Sequence, residues 1–133
     1  MSHERAHITV VCALIERRGR LLVAKRAQSK AMPGLWEFPG GKIRSTETAE
    51  EAIVREISEE LGCTIRPIRT LAENTHDYSD LTITLVAFLC DLIDGEPRAL
   101  EHDELRWATG AELLALDWTA ADVPILRLYL EDR

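Results

Sequence analysis

The sequence predicts an α+β fold in which a central β-sheet is covered by helices. Two observations predict it. Apolar segments typical of strands recur between turn residues, and three other segments carry helix signals. The 133 residues, 46% of them apolar, fit a single domain over residues 1–133 with one core.

The first part of the chain predicts a β-hairpin. Residues 7–16 are rich in Ile, Val and Leu, and residues 21–25 return as a second strand after a turn at Gly19. Residues 28–34 then form a loop, and residues 35–38 form a short extended piece.

The clearest helix signal covers residues 46–61, where apolar residues recur at intervals of three and four. These apolar positions are Ala49, Ala52, Ile53, Ile57 and Leu61. Ser45 or Thr46 is expected to cap the start of the helix, which Glu47 begins, and Gly62 suits its end.

The remaining elements follow from alternation and capping patterns. Residues 63–78 and 81–93 predict two longer strands around a turn, and residues 105–108 predict a short one. A Thr-x-x-Glu capping box at Thr109 opens a short helix, and residues 122–130 form the last helix.

The charge balance argues against a nucleic-acid-binding protein. The chain has 16 Lys and Arg against 23 Asp and Glu, a net charge of −7, and therefore no basic field. A single nucleotide is still compatible with this charge, because a divalent metal ion supplies positive charge.

Composition also indicates a cytoplasmic protein. No apolar run approaches the ~20 residues of a membrane span, and residues 1–5 are polar with no signal-type apolar stretch after them. Cys12, Cys63 and Cys90 are odd in number and lie in apolar segments, so we expect reduced thiols in or near the core.

One stretch of the predicted helix indicates a metal site. Glu56, Glu59 and Glu60 stand at i, i+3 and i+4, which places their carboxylates on one helix face. Such carboxylates repel one another unless a hard cation such as Mg²⁺ or Mn²⁺ binds them. The alternative is a solvated acidic helix face. Two features favour the metal site: Arg55 can orient a carboxylate, and the turn at Gly40 allows close backbone approach.

Residues 41–63 match the signature of the Nudix hydrolases, G-x₅-E-x₇-R-E-U-x-E-E-x-G-U, where U is a bulky apolar residue. Every charged and glycine position fits, and only Cys63 is smaller than usual. The chain is therefore identified as resembling that family.

The resemblance extends beyond the signature. Residues 35–42 resemble the approach to it in the MutT-like branch, and Glu101 falls in the loop where that branch carries another metal-binding glutamate. Residues 121–124 resemble the segment in which an Asn or Asp reads the base. Arg44 and Thr46 depart from the pattern, where an acidic residue and a glycine are common.

What the resemblance implies is an α/β/α sandwich around a mixed sheet and a Mg²⁺-dependent enzyme, with Mn²⁺ as a possible substitute. Its reaction is hydrolysis of a nucleoside triphosphate to the monophosphate and pyrophosphate. The expected role is nucleotide-pool sanitation, with 8-oxo-dGTP or a cytidine triphosphate as substrate. The small nucleotide is the expected partner, without nucleic acid or membrane, in a monomer or homodimer.

Two alternatives stay open. One is a Nudix hydrolase acting on a nucleotide sugar or a dinucleoside polyphosphate, which the compact length disfavours. The other is a non-catalytic nucleotide-binding module, which the intact glutamates disfavour. The apolar Leu81, near where some readers of oxidised guanine carry a basic residue, weakens the 8-oxo-dGTP assignment.

The resemblance and the helix pattern together give a candidate metal and catalytic set. The expected metal ligands are Gly40, Glu56, Glu59, Glu60 and Glu101. Glu56 is the first choice for activating the attacking water and Glu59 the second, with Arg55 as their orienting partner. In residues 101–104 only Glu101 is expected to matter, the rest being a solvated loop, although His102 is a possible ligand.

The substrate-binding candidates are less specific. Arg26 and Lys42 are expected to neutralise phosphates, against the alternative of surface charges. Phe38 is a candidate wall of the base pocket and Tyr78 a second lining residue. Asp122, if ionised, accepts hydrogen bonds only and would favour a donating base edge; the alternative is an ordinary residue at a helix start.

Overall fold

The computed structural model describes residues 6–131, and within them a seven-stranded mixed sheet is the central layer. The strands are β1 (Ala6–Arg17), β2 (Arg20–Lys25), β3 (Trp36–Glu37), β4 (Gly40–Lys42), β5 (Thr64–Asp77), β6 (Leu81–Asp94) and β7 (Glu104–Ala108). The helices are α1 (Ala49–Leu61), α2 (Gly110–Ala115) and α3 (Val123–Glu131), with a 3₁₀ turn at Ala120–Asp122. The expectation about residues 1–5 lies outside the described residues.

The sheet confirms the predicted fold class. Its order is β3-β2-β1-β6-β5, with β4 paired to β1 and β7 paired to β2. The β1–β6 pair is parallel and the other pairs are antiparallel, so the sheet is mixed. The predicted hairpin between β1 and β2 turns at Arg18 and Gly19, both with positive φ (54° and 76°), as in two-residue hairpin turns.

Helices cover both faces of the sheet because the side chains of β1 alternate between two cores. Val11, Ala13 and Ile15 pack in one buried cluster with the apolar face of α1. Cys12 and Leu14 belong to the other cluster, which contains residues of α2 and α3. The result is the expected three-layer sandwich. None of the helices within residues 6–131 is long and apolar enough to span a membrane.

Helix α1 begins later than predicted. Its cap is Thr48, whose hydroxyl accepts from the Glu51 N–H at 3.1 Å, while Glu51 accepts from the Thr48 N–H at 2.8 Å. The prediction of Ser45 or Thr46 as cap is therefore wrong, and Glu47 precedes the helix instead of beginning it. This capping box satisfies two N–H groups at once, which a cap at 45 or 46 with no Glu three residues later does not.

Backbone hydrogen bonds hold the loop between β6 and β7 against helix α1 and strand β2, beside the predicted metal site. The Leu100 N–H donates to the carbonyl of Glu60 (3.3 Å) in the last turn of α1, and the Asp103 N–H donates to the carbonyl of Lys25 (3.0 Å) at the end of β2. Glu101 and His102 lie between these two anchors. The positions of their backbones are therefore fixed by the helix and the sheet.

The cysteine prediction is confirmed. All three thiols are free and buried. Burial raises the pKa of Cys90 to about 12 and raises the pKa of Cys12 and Cys63 in the same direction. A raised pKa keeps each sulfur in the thiol form, which is unreactive as a nucleophile.

Candidate functional site

A cavity of about 420 Å³ opens where β4, the inner face of α1 and the β6–β7 loop meet. All the candidate metal ligands and phosphate-binding residues line it. These are Arg26, Gly40, Lys42, Glu56, Glu59, Glu60 and Glu101. Three further residues with polar side chains line the cavity: Lys30, Glu37 and His102. The sequence did not indicate the first two for the site, and it indicated His102 only as a possible ligand.

The three glutamates of α1 share the cavity wall but differ in environment. The Glu59 side chain is 48% exposed, whereas those of Glu56 and Glu60 are largely buried. Burial, together with the hydrogen bond and charge of Glu56, raises the pKa of Glu60 to about 9. Within the described residues, Oε2 of Glu60 is buried without a hydrogen-bond partner. The helix spacing therefore creates the unfavourable clustering of carboxylates that the sequence indicated.

Arg55 lies behind these carboxylates and not in the cavity lining. Its Nη1 donates to Glu56 (2.9 Å) and Glu59 (3.2 Å), and its Nη2 donates to Glu47 (2.8 Å) and to the Lys42 carbonyl (3.1 Å). These contacts, led by the hydrogen bond to Glu47, raise the pKa of Arg55, and the same hydrogen bond lowers the pKa of Glu47 to about 2. One guanidinium thus holds three carboxylates and the backbone of β4.

The glycines before the helix allow the close approach that the sequence indicated. A Cβ at Gly41 would lie 2.5 Å from the carboxylate carbon of Glu56. A Cβ at Gly40 would lie 2.7 Å from the Cα of Cys12, because β4 pairs directly with β1. A side chain at position 40 would therefore clash with the backbone of β1, and one at position 41 would displace the carboxylate of Glu56.

His102 contradicts the expectation of a solvated loop. Its side chain is only 5% exposed, and its Nε2 lies 3.0 Å from Oε2 of Glu37 and 3.7 Å from Oε1 of Glu60. The other oxygen of Glu37 accepts from Arg26 Nη1 at 2.7 Å. Burial acts to raise the pKa of Glu37, but the hydrogen bonds from His102 and Arg26 prevail and lower it. Its neighbour Glu101 is exposed.

The three candidates for base recognition do not line the cavity. Phe38 is buried and packs on Trp118, with 4.8 Å between ring centroids. Tyr78 is 46% exposed in the turn between β5 and β6, where its ring contacts that of His76 at a tilt. Asp122 is buried and accepts from the Phe38 N–H at 3.1 Å. Their roles toward a base remain predictions.

Asp122 lies in an environment that favours the protonated form of its carboxyl group. Burial, aided by the charge of Glu37, raises the pKa of Asp122 to about 7, although hydrogen bonds from Phe38 and Thr119 act against this. A carboxyl group with that pKa is partly protonated near neutral pH and then donates as well as accepts. The preference for a donating base edge therefore holds only for the ionised form.

The raised pKa of Asp122 predicts a pH-dependent stability. Because the folded chain holds this proton more tightly than an ordinary aspartate, with its pKa of 3.8, the free energy of unfolding falls as the pH rises from about 4 to about 7 and levels off above that. Asp122→Asn is expected to remove this fall, so its stability relative to wild type increases between pH 4 and pH 8. Urea unfolding at several pH values measures it.

The exposed Asp117 provides the control. Asp117→Asn is expected to give a pH profile parallel to that of wild type. A parallel profile for Asp122→Asn as well would contradict the raised pKa.

Comparison with known proteins finds similar sequences that cover most of this chain. The family profile of the NUDIX domain matches residues 10–128. A CTP pyrophosphohydrolase of Escherichia coli is 37% identical over 123 residues, covering 92% of this chain and 91% of that protein. An 8-oxo-dGTP diphosphatase of Escherichia coli is 34% identical over 106 residues, covering 80% of this chain and 82% of that protein.

Comparison with solved structures also finds proteins that resemble this chain over most of its length. The crystal structure of a MutT NUDIX hydrolase from Burkholderia pseudomallei has a TM-score of 0.79 and 31% identity, covering 93% of this chain and 98% of that chain. The region matched by the family profile contains every residue that lines the cavity.

Proposed function

The chain belongs to the Nudix hydrolase family, and from that premise we propose that it hydrolyses a nucleoside triphosphate to the monophosphate and pyrophosphate with Mg²⁺ or Mn²⁺. The observation that carries the proposal is the cavity itself, in which Glu56, Glu59, Glu60 and Glu101 face the cations of Arg26 and other basic side chains. Carboxylates suit metal ions, and cations beside them suit the phosphates that such metals bind.

The donor set fits a hard divalent cation. All the proposed ligand atoms are oxygens: the carboxylates of Glu56, Glu59, Glu60 and Glu101, and the carbonyl of Gly40. The unpartnered Oε2 of Glu60 and the raised pKa of that residue are what a buried carboxylate shows when its own chain supplies no cation.

Arg55 binds one oxygen of each of two of these carboxylates. Among residues 6–131, no three Asp, Glu, His or Cys side chains are gathered closely enough to hold a metal ion as they stand. Glu56 and Glu59 are instead hydrogen-bonded to Arg55. When bound, the metal ion would neutralise phosphate charge and polarise the phosphoryl oxygens.

The protein side chains divide the remaining work. Arg26, Lys30 and Lys42 attract the triphosphate, and Arg55 fixes the direction of Glu56. Glu56 accepts a proton from the attacking water as the water oxygen bonds to phosphorus and the P–O bond to the leaving group breaks. Glu59 and Glu101 are the other candidates for that proton.

The proposed substrate is a cytidine triphosphate or 8-oxo-dGTP, in keeping with a role in nucleotide-pool sanitation in the cytoplasm. Support comes from relatives named as a CTP pyrophosphohydrolase and an 8-oxo-dGTP diphosphatase. We keep Asp122 and Phe38 as the proposed base-recognition residues, since the hydrogen bond from the Phe38 backbone N–H to the Asp122 carboxyl group holds the two residues together.

A panel of nucleotides tests the reaction. Purified protein with Mg²⁺ is incubated with 8-oxo-dGTP, dGTP, CTP, dCTP and ADP-ribose, and release of pyrophosphate and of phosphate is measured separately. We expect pyrophosphate and monophosphate from one or two of the triphosphates. Cleavage of ADP-ribose alone would instead favour a nucleotide-sugar hydrolase, and nucleotide binding without any cleavage would favour a non-catalytic module.

Asp122→Asn in the same panel tests base recognition. Because an amide replaces a carboxyl group at the same position, we expect the ranking of bases to change. An unchanged ranking would remove Asp122 from the proposed base pocket without affecting the proposed reaction.

A further inference from the structure

We propose that Glu37 is a positioning residue that joins the phosphate-binding side of the cavity to its carboxylate side. The inference rests on the proposed function, because it gives Arg26 a phosphate-binding role and Glu60 a metal-binding role. Neither the signature nor the helix pattern contains Glu37. It lies on β3, where pairing with Ala24 of β2 fixes its backbone.

The two oxygens of Glu37 hold two different elements of the site. Oε1 accepts from Nη1 of Arg26 at 2.7 Å, and Oε2 lies 3.0 Å from Nε2 of His102. The Glu37 side chain is largely buried, so these hydrogen bonds are shielded from water. A single carboxylate therefore connects the end of β2 with the loop before β7.

On the phosphate-binding side of the cavity, Glu37 provides the second of two hydrogen bonds that hold the guanidinium group of Arg26 in place. The Nε of Arg26 donates to the Ala31 carbonyl at 2.6 Å, and its Nη1 donates to Glu37. Two anchors on different nitrogens fix the plane of the guanidinium group that lines the cavity. A fixed guanidinium loses less side-chain entropy when it binds a phosphate.

On the carboxylate side, Glu37 fixes the ring of His102. A hydrogen bond to Oε2 of Glu37 uses the proton on Nε2 and fixes the orientation of the ring. Its Nδ1 is buried without a partner among the described residues, so the polar contacts of the ring are made through Nε2. The ring then stands beside Glu60, whose Oε1 is 3.7 Å from Nε2, and limits the directions that this carboxylate adopts.

Glu37→Gln separates this role from simple packing, because glutamine keeps the size of the side chain and loses one of its two acceptors. Its NH₂ group would face an N–H of Arg26 or of His102, so at least one anchor is lost. We expect about 10-fold weaker Mn²⁺ binding without nucleotide, measured by electron paramagnetic resonance of the free ion, and a raised KM for the triphosphate.

Two variants, each of which changes only one of the two partners of Glu37, separate the effect on Mn²⁺ binding from the effect on KM. His102→Gln is expected to weaken Mn²⁺ binding with little change in KM, and Arg26→Gln is expected to raise KM with little change in Mn²⁺ binding. Glu96→Gln is the matched control, since it removes a carboxylate from an exposed pair with Arg17, outside the cavity, and changes neither quantity.

Wild-type values of both quantities in folded Glu37→Gln would overturn the proposal. If Glu37→Gln does not fold, Glu37→Asp keeps the charge but shortens the reach, and the same losses are expected there; normal Mn²⁺ binding and KM in that variant would overturn the proposal equally. The Mn²⁺ measurement needs no turnover. A wild-type protein that binds Mn²⁺ but cleaves no triphosphate would therefore contradict the proposed function while the role of Glu37 toward Glu60 is still tested.

Discussion

Glu56→Gln is expected to lower kcat about 100- to 10,000-fold with the fold intact, because removal of a general base or metal-binding carboxylate has effects of that size. The amide cannot accept the proton of the attacking water and binds a hard cation poorly. It remains able to accept the hydrogen bond from Arg55, which in the wild type measures 2.9 Å. Steady-state kinetics with Mg²⁺ and the best triphosphate of the panel measure the loss.

Two companion variants make this test specific. Glu50→Gln removes a carboxylate from the exposed side of the same helix and is expected to retain wild-type turnover. Glu59→Gln is expected to lose activity as well, since its carboxylate lines the same cavity. Full Mg²⁺-dependent turnover in both Glu56→Gln and Glu59→Gln would contradict the metal-binding face of α1.

Gly40→Ala is expected to destabilise the fold by about 3 kcal/mol or more, since forced overpacking against backbone leaves no flexible side chain to move aside. The added methyl group would meet the carbonyl of Val11 and lie 2.7 Å from the Cα of Cys12. Relief requires β4 to leave β1, which also moves the backbone under Glu56. Urea unfolding monitored by circular dichroism gives the change in unfolding free energy.

Gly110→Ala is the control for that substitution. A Cβ at Gly110 meets nothing closer than 3.8 Å, and the residue begins helix α2, where alanine is favoured over glycine. We expect its stability to equal or slightly exceed that of wild type. A Gly40→Ala protein as stable as wild type would show that β4 does not pair with β1 as described.

Local patterns were enough to predict most of the elements. The spacing of apolar residues predicted α1, and the turn at Gly19 predicted the first hairpin. The cap of α1 was also readable, because Thr48 and Glu51 form the same Thr-x-x-Glu pattern that was recognised at Thr109. The parallel pairing of β1 with β6 was not predicted, since no local signal specifies which distant strand becomes a neighbour, and the resemblance implied only that the sheet is mixed.

The site also contains residues that local spacing predicted and residues that only long-range contacts bring together. Glu56, Glu59 and Glu60 share one helix, so their spacing alone brings them together. Glu37 and His102 are separated by 65 residues, and their contact depends on sheet pairing and on a loop held by backbone hydrogen bonds. Glu37 lies within residues 35–42, which resemble the approach to the signature, and its alternation with two aromatic neighbours indicates that it lies on the opposite side of the strand from them.

The central claim is that the acidic cavity between β4, α1 and the β6–β7 loop binds the divalent cations of the reaction. Anomalous scattering at the manganese edge, from crystals grown with Mn²⁺, locates these ions without reference to activity. We expect the strongest peaks within coordination distance of Glu56, Glu59 or Glu60, with about 2.0–2.6 Å to oxygen ligands. Peaks only elsewhere, or none at all in the cavity at saturating Mn²⁺, would contradict the account.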